Sequence, residues 1–447
     1  MYGADVSSGR HALMRAARRA GLGLVTCAAV LAPVGWTGTA SAGAIANAST
    51  VVRAPVGAAR VPVASLDGVA CASPTACVAV GRYAASSGRG LPLAATMSPG
   101  GWARAVTVAL PAGHAGAHST AGLSAVACPS ATSCVAVGSY EDTANDELPM
   151  VATERDGTWG PAAAVALPAT AASTNEQAQL GAVACVPAGC VAVGTYTTAT
   201  GAAALMAASS TAGTWGAATT IALPSGAGAV PRTAGSVALS GLSCTDEADC
   251  VAVGAYLDHA GGFAPLRVTL AHGVWGRAVR VHVALRTRVV SVAELASVSC
   301  PSMTACVAVG GAENAAGRAD VIAAAQAASG RWGDAVPSGR LPGSRPTLLG
   351  ASLDAVTCSA PQRCVGVGAA TTAFGSSVAV VRLERGGWHV PQVARSVPPV
   401  FGPGTSSVLR AIACAGPDRC VAVGSVLRTS RAGTVLDARA VAVQLTL

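Results

Sequence analysis

The chain has 447 residues, of which 51% are apolar, 11% charged and 3% aromatic, so a charge-rich disordered chain is excluded. Its net charge of +8 rests on 29 basic residues, all of them arginine, and Arg10, Arg15, Arg18 and Arg19 crowd near the N-terminus. Spread over the remainder, the excess is too thin for a nucleic-acid-binding footprint.

Residues 1–42 read as a secretory leader. The four arginines precede an apolar, uncharged stretch from Gly21 to Val34, and Ala40-Ser41-Ala42 offers a small-residue cleavage site before Gly43. A retained anchor and a lipoprotein at Cys27 are the alternatives; Pro33 and Gly35 break the stretch early for a span. No later segment reads as a membrane span.

The rest, 43–447, reads as one repeat domain. A phrase such as LSAVACPSATSCVAVGSY recurs seven times, with leading leucines at 66, 123, 180, 239, 295, 353 and 409. Its first cysteines recur every 56 to 59 residues. Within a unit the pattern is that of strands. Leu123 to Cys128 is a first strand, Cys134-Val-Ala-Val-Gly a second, and Pro149 to Glu154 a third. Asp156-Gly157-Thr158 turns the chain, and Trp159 to Leu167 is a fourth. Four antiparallel strands, seven times over, predict an all-β, seven-bladed β-propeller, a linear β-solenoid being the rival. Unit seven ends at Leu447 without a fourth strand, so residues 44–56 are expected to complete it and close the ring.

Fourteen cysteines form local pairs: Cys71/Cys77, Cys128/Cys134, Cys185/Cys190, Cys244/Cys250, Cys300/Cys306, Cys358/Cys364 and Cys414/Cys420. Each pair brackets the loop between strands one and two, where opposed cysteines can meet disulfide geometry. An even count in an exported chain predicts oxidised pairs, with metal binding as the lesser reading.

The phrase Leu-x-x-Val-x-Cys, five residues, Cys-x-Ala-Val-Gly, followed by a Gly-x-Trp turn, resembles repeats of exported propeller-like proteins of high-GC bacteria. The turn Glu154-Arg155-Asp156-Gly157-Thr158-Trp159 also resembles a degenerate Asp-box of sialidase-type propellers, and Ser210 to Trp215 lacks the Asp. The resemblance implies a fold and not an activity; the Arg-Ile-Pro signature of those enzymes is absent.

In such a blade the 1–2 and 3–4 loops share one face, and the 2–3 loops and connections share the other. The first face is short and uniform, pinned by the cysteines. The second reads as long and dissimilar at Glu141–Leu148, Leu257–Ala264, Pro224–Ala238 and Pro337–Ser352, which favours it for recognition. Tyr83, Tyr140, Tyr196 and Tyr256 end strand two at its edge, and Phe263, Phe374 and Phe401 fall in its loops. These seven are the candidate binding residues, with packing between blades as the other role for the tyrosines. Glu141, Asp142, Asp146 and Glu147 form an acidic loop that is either a Ca²⁺ site or solvated. His114, His118, Arg286, Arg288, Arg340 and Arg345 read as surface charge.

No catalytic set, metal site or cofactor motif has diagnostic spacing. The expectation is a secreted monomer, with cell-envelope association left open, that binds a glycan or protein partner through the variable face without catalysis. The alternative is an extracellular polysaccharide-acting propeller enzyme.

Overall fold

The computed structural model describes residues 45–116, 119–228, 236–284, 290–314, 319–337, 348–372, 375–384, 387–388, 392–393, 405–416, 418–430 and 435–446. The expected leader lies outside them. Every regular element among the described residues is a β-strand.

Unit two shows the pattern. Ala121–Ser130, Ser133–Glu141 and Glu147–Arg155 form an antiparallel meander, Val126 facing Ala136 and Ala136 facing Ala152. The expected continuous fourth strand is broken into Thr158–Trp159 and Ala163–Ala164, each paired with the third strand. Between them the Ala162 amide leaves its own sheet and donates to the Ala109 carbonyl of the preceding unit at 2.8 Å. The same bond recurs from Ala218 to Ala166 and from Ala278 to Ala222, so the break binds one sheet to the next.

Units one to three each form a separate five-stranded sheet. Units four to six do not separate as expected. They join into one 14-stranded network through the parallel pairs Phe263/Val292 and Ala319/Gly350, where a third strand touches the next unit's first strand. In unit seven, Ile45–Val51 pairs antiparallel with Val435–Thr446, placing Thr50 opposite Ala442.

The core is divided between neighbouring units. Leu123, Ala136 and Met150 of unit two pack with Val80 and Ala94 of unit one. Leu180, Ala192 and Met206 of unit three pack with Val137 and Val151 of unit two. The same alternation runs through the later units. Leu66, Ala79 and Leu93 of unit one pack with Val423 and Ala442 of unit seven. Alanine and valine on both faces of each sheet allow this close face-to-face stacking.

One device repeats in all seven first strands. The register shifts by one residue directly after the leading leucine, as between Leu66 and Gly68 or Leu409 and Ala411. This β-bulge returns Leu66 and Val69 to the same apolar cluster, although residues three apart on a regular strand face opposite ways. Opposite the bulge stands the glycine of Cys-x-Ala-Val-Gly. A Cβ at Gly138 would collide with the Gly122 carbonyl oxygen, and one at Gly424 with that of Val408.

All seven cysteine pairs are disulfides, with Cα–Cα distances of 4.0 or 4.1 Å. Cys71/Cys77, Cys185/Cys190, Cys244/Cys250, Cys358/Cys364 and Cys414/Cys420 sit directly opposite in the hairpin register. Cys300 and Cys306 lie just beyond the paired Ser299 and Val307.

These bridges reach deeper than the loops that they bracket. The second cysteine of each pair, namely Cys77, Cys134, Cys190, Cys250, Cys306, Cys364 and Cys420, is buried, at 0 to 6% exposed. Each belongs to an apolar cluster between sheets. The first cysteines are half-buried, except Cys300, which is buried. The reason is position: the second cysteine leads into strand two, which lies between two neighbouring strands and is covered on both faces by adjacent units. Each bridge therefore ties a half-exposed loop to the core, so the cysteines have a packing role as well as a covalent one.

Candidate functional site: a loop face and a cavity lined by the first strands

The tyrosines end strand two, but their rings point inward. Tyr83 and Tyr140 are 4% exposed, and Tyr196 and Tyr256 are 1% exposed. Each belongs to a core cluster between sheets. The hydroxyls of Tyr83 and Tyr196 reach the broken outer strand. The Tyr83 hydroxyl is hydrogen-bonded to that of Thr107 at 2.6 Å. The Tyr196 hydroxyl is bonded to those of Thr220 and Thr170 at 2.6 and 2.7 Å. Burial raises the Tyr140 phenol, with Asp142 adding to the shift. Burial also raises that of Tyr256, partly opposed by Arg280. In these positions the rings fill gaps between sheets and offer no face to a ligand. Phe263 is half-buried at the start of a third strand, opposite Leu257. Phe374 and Phe401 lie outside the described residues, as do His118, Arg286, Arg288, Arg340 and Arg345.

The loop face of units one to four is more regular than its sequence suggests. Four 2–3 loops share one backbone: the amides of Ala85, Asp142, Thr198 and Asp258 each donate to the carbonyl four residues on. The side chains of Asp142, Thr198 and Asp258 accept the returning amides at 3.0 to 3.1 Å. The fourth position is left-handed at Gly88, Asn145, Gly201 and Gly261, which favours glycine or asparagine. Beside each loop lies a turn of the preceding connection, bridged through Ala58/Ala85, His114/Asp142, Ala171/Thr198 and Ala227/Asp258. Each turn opens on a buried proline: Pro55, Pro111, Pro168 and Pro224. The expected dissimilarity of Glu141–Leu148 and Leu257–Ala264 is therefore one of side chains on a shared frame. Residues 229–235 and 338–347, within the other two long connections, lie outside the described residues.

The carboxylates of the acidic loop are taken up by hydrogen bonds from neighbouring segments. Glu141 accepts the Thr120 amide and hydroxyl, both at 2.9 Å. Asp146 accepts the Glu176 amide at 2.8 Å, and Glu147 the Ser139 hydroxyl at 2.7 Å. Among the described residues no group of three or more His, Cys, Asp or Glu is arranged to hold a metal ion. Glu176, which the sequence reading did not single out, is 2% exposed and accepts the Thr197 and Gln177 amides at 2.6 and 3.0 Å. Burial is the first cause that raises both the Glu147 and the Glu176 carboxyl above the ordinary range.

A second feature was absent from the sequence reading. The first strands of all seven units line one cavity of about 120 Å³. The extra residue of each bulge faces it, and in unit order these are Asp67, Ser124, Gly181, Ser240, Ala296, Asp354 and Arg410. The Arg410 Nε lies 3.4 Å from Asp67 Oδ1, with the two side chains 10% and 14% exposed. Ser65 donates to the other Asp67 oxygen at 3.1 Å, and Ser352 to Asp354 at 3.3 Å. The signal in the sequence was the three-residue spacing of Leu-x-x-Val, which breaks strand period and marks the residue after each leucine.

No protein-family model matches the chain, and no curated protein matches it. Among solved structures, it is similar to a protein of unknown function from Dyadobacter fermentans DSM 18053. The identity is 10% and the TM-score 0.50, over 91% of this chain and 99% of that one. It is also similar to a Hadza microbial sialidase (10% identity, TM-score 0.45, 87% of this chain and 66% of that one). A polysaccharide lyase, an ulvan lyase, follows at 10% identity and a TM-score of 0.42, over 66% of this chain and 77% of that one. A likeness at this identity is one of fold and carries no activity.

Proposed function

We propose that the chain is a secreted, seven-bladed β-propeller that binds a glycan or protein partner through its loop face, without catalysis. On this reading residues 1–42 are a removed leader and 43–447 form one domain, in which residues 44–56 complete the last blade. The apolar cluster shared by units one and seven supports ring closure. Seven disulfides fit an oxidising compartment. Among the described residues no helix is long and apolar enough to cross a membrane.

One observation carries the binding role. Four turn pairs repeat the same backbone and present different exposed side chains at matching positions: Val56 with Ser86, Ala112 with Thr143, Ala169 with Ala199, and Ser225 with His259. A constant frame with changing tips is what recognition needs, whereas the opposite face is covalently pinned. Tyr83, Tyr140, Tyr196, Tyr256 and Phe263 border this face, the tyrosines holding it from beneath. A glycan array and pull-down with the secreted protein test the reading. Ser86→Arg, Thr143→Arg and Thr200→Arg add bulk at exposed tips without touching the core. Loss of the captured ligand in at least one, at unchanged Tm, supports the face; retention in all three removes it.

The enzyme alternative draws on Glu147, whose carboxyl burial raises and so suits to proton donation. Polysaccharide cleavage that Glu147→Gln abolishes would select it.

A further inference from the structure

One arginine stands where five other units carry a buried apolar residue. Opposite the start of the second outer piece, the third strands of those units place Ala94, Val151, Ala207, Ala323 and Val380, each 1 to 5% exposed. Unit four has Arg267 there, half-buried and paired with Val279. Its guanidinium lies 5.7 Å from the centre of the Trp332 ring of unit five. Trp332 itself packs on the apolar cluster that units four and five share.

That charge is unanswered. Among the described residues Arg267 has the ring contact and neither a hydrogen bond nor an ion pair. Burial alone holds its guanidinium below the ordinary value, with no carboxylate opposing the shift. The charges around it are matched instead: Arg280 with Asp258 at 3.2 Å, and His282 with Asp334 at 3.3 Å. A half-buried cation without an anion is costly, and contact with an indole face offsets only part of that cost. Packing does not account for Arg267, since the same place in five other units takes Ala or Val. The position is open to solvent, because Val279, on the same face of the sheet, is 38% exposed.

The lining selects the ligand. A guanidinium has five donors and no acceptor, an indole has one donor, and valine has neither. A sugar would bring hydroxyl donors that these three side chains cannot accept. A carboxylate is acceptor-only, and its plane matches the guanidinium fork. Val279 offers apolar surface to the methylenes of an acidic side chain. Arginine and tryptophan are also the residues that most often anchor protein interfaces. We propose that the groove between the outer parts of units four and five binds an acidic side chain of a protein partner, Arg267 gripping the carboxylate and Trp332 backing the guanidinium. This site is separate from the turn pairs of the loop face and stands or falls independently of them.

The test uses the secreted, disulfide-intact chain and reads the Trp332 indole N–H by NMR, assigned through Trp332→Phe. The probe is glutamate capped as N-acetyl-glutamate-amide, titrated at constant ionic strength. Capped glutamine, chloride and glucuronate are the comparisons. A saturable shift with capped glutamate is expected, and none with capped glutamine, which has the same shape without the charge. Arg267→Val restores the residue type of the other units, so it should keep or raise Tm while abolishing the shift. Arg267→Lys keeps the charge but not the fork, and should weaken binding by about tenfold. It serves as the second variant should Arg267→Val disturb the packing. No saturable shift, an equal response to capped glutamine or chloride, or binding unchanged in either variant would overturn the proposal. Glucuronate binding more tightly than capped glutamate would overturn it too, by giving the groove to an acidic sugar.

Discussion

The amide of Ala105 donates to the carbonyl of Arg53 at 2.9 Å. The same bond joins Ala162 to Ala109, Ala218 to Ala166 and Ala278 to Ala222, each time from one unit to the outer strand of the unit before. Arg53 thus stands where a fourth strand of unit seven would. Arg104 repeats the point: its guanidinium donates to Ala54 at 2.9 Å, as that of Arg277 does to Leu223 at 2.8 Å. Deleting residues 44–56 removes both bonds and bares the edge of Val435–Thr446. The truncated protein should aggregate, or melt well below the full chain in a calorimetric scan. An unchanged Tm would mean the last sheet needs no such strand.

The disulfides predict a chemical outcome. With the seven bridges formed, thiol titration of the secreted protein under denaturing, non-reducing conditions should read near zero. Each short loop should contribute about 2 kcal/mol in the loop-entropy model, so reduction should lower Tm steeply. Several reactive thiols per chain would contradict the pairing.

The bulge makes its facing glycine unsubstitutable. Gly138→Ala drives a methyl into the Gly122 carbonyl, so a loss of about 3 kcal/mol or more is expected in denaturant melts. At Gly160 the nearest atom to a new Cβ is the Thr153 carbonyl oxygen at 3.6 Å, so Gly160→Ala should be nearly silent. Equal effects at the two sites would refute the steric account.

The tyrosine hydroxyls should separate by partner. Tyr196→Phe loses bonds to Thr170 and Thr220 and should cost about 1–2 kcal/mol. In unit two the outer strand carries Ala163 and Ala164, which have no hydroxyl to offer, and Tyr140→Phe should cost less than about 0.5 kcal/mol. Urea melts of the two variants decide it. A stability change at Tyr196 also means that this substitution does not probe binding alone.

Glu147 sets a pH dependence with a definite sign. Burial raises its carboxyl in the folded state above the unfolded value, so folding takes up a proton between the two. The strain of the ionised form is absent below the ordinary carboxylate range and grows as pH rises through the folded pKa. Glu147→Gln keeps an acceptor for Ser139 and cannot ionise. The variant should gain stability over the parent from about pH 4 upward. A parent that gains on the variant as pH rises would reverse the assignment.

The residues by themselves determined the repeat, the strand character and the cysteine pairing, because each is local. Alternating Val and Ala write a strand within six residues, and two cysteines across one hairpin need only that hairpin to meet. The match of Ala54-Pro55-Val56-Gly57 to Leu110-Pro111-Ala112-Gly113 is equally local and marks the residues before it as the counterpart of an outer strand. Tertiary structure alone decided the rest. Tyr83 and Tyr196 look alike as surface or core until neighbouring sheets close over them, and the burial of Cys77 or Cys250 depends on the same closure. Asp67, Asp354 and Arg410 occupy one position of a repeat phrase far apart in the chain. They meet because a bulge turns that position inward and the packing of unit seven on unit one brings the last repeat beside the first. Long-range closure has no local pattern, so a charge set built by it is legible only once the units are assembled.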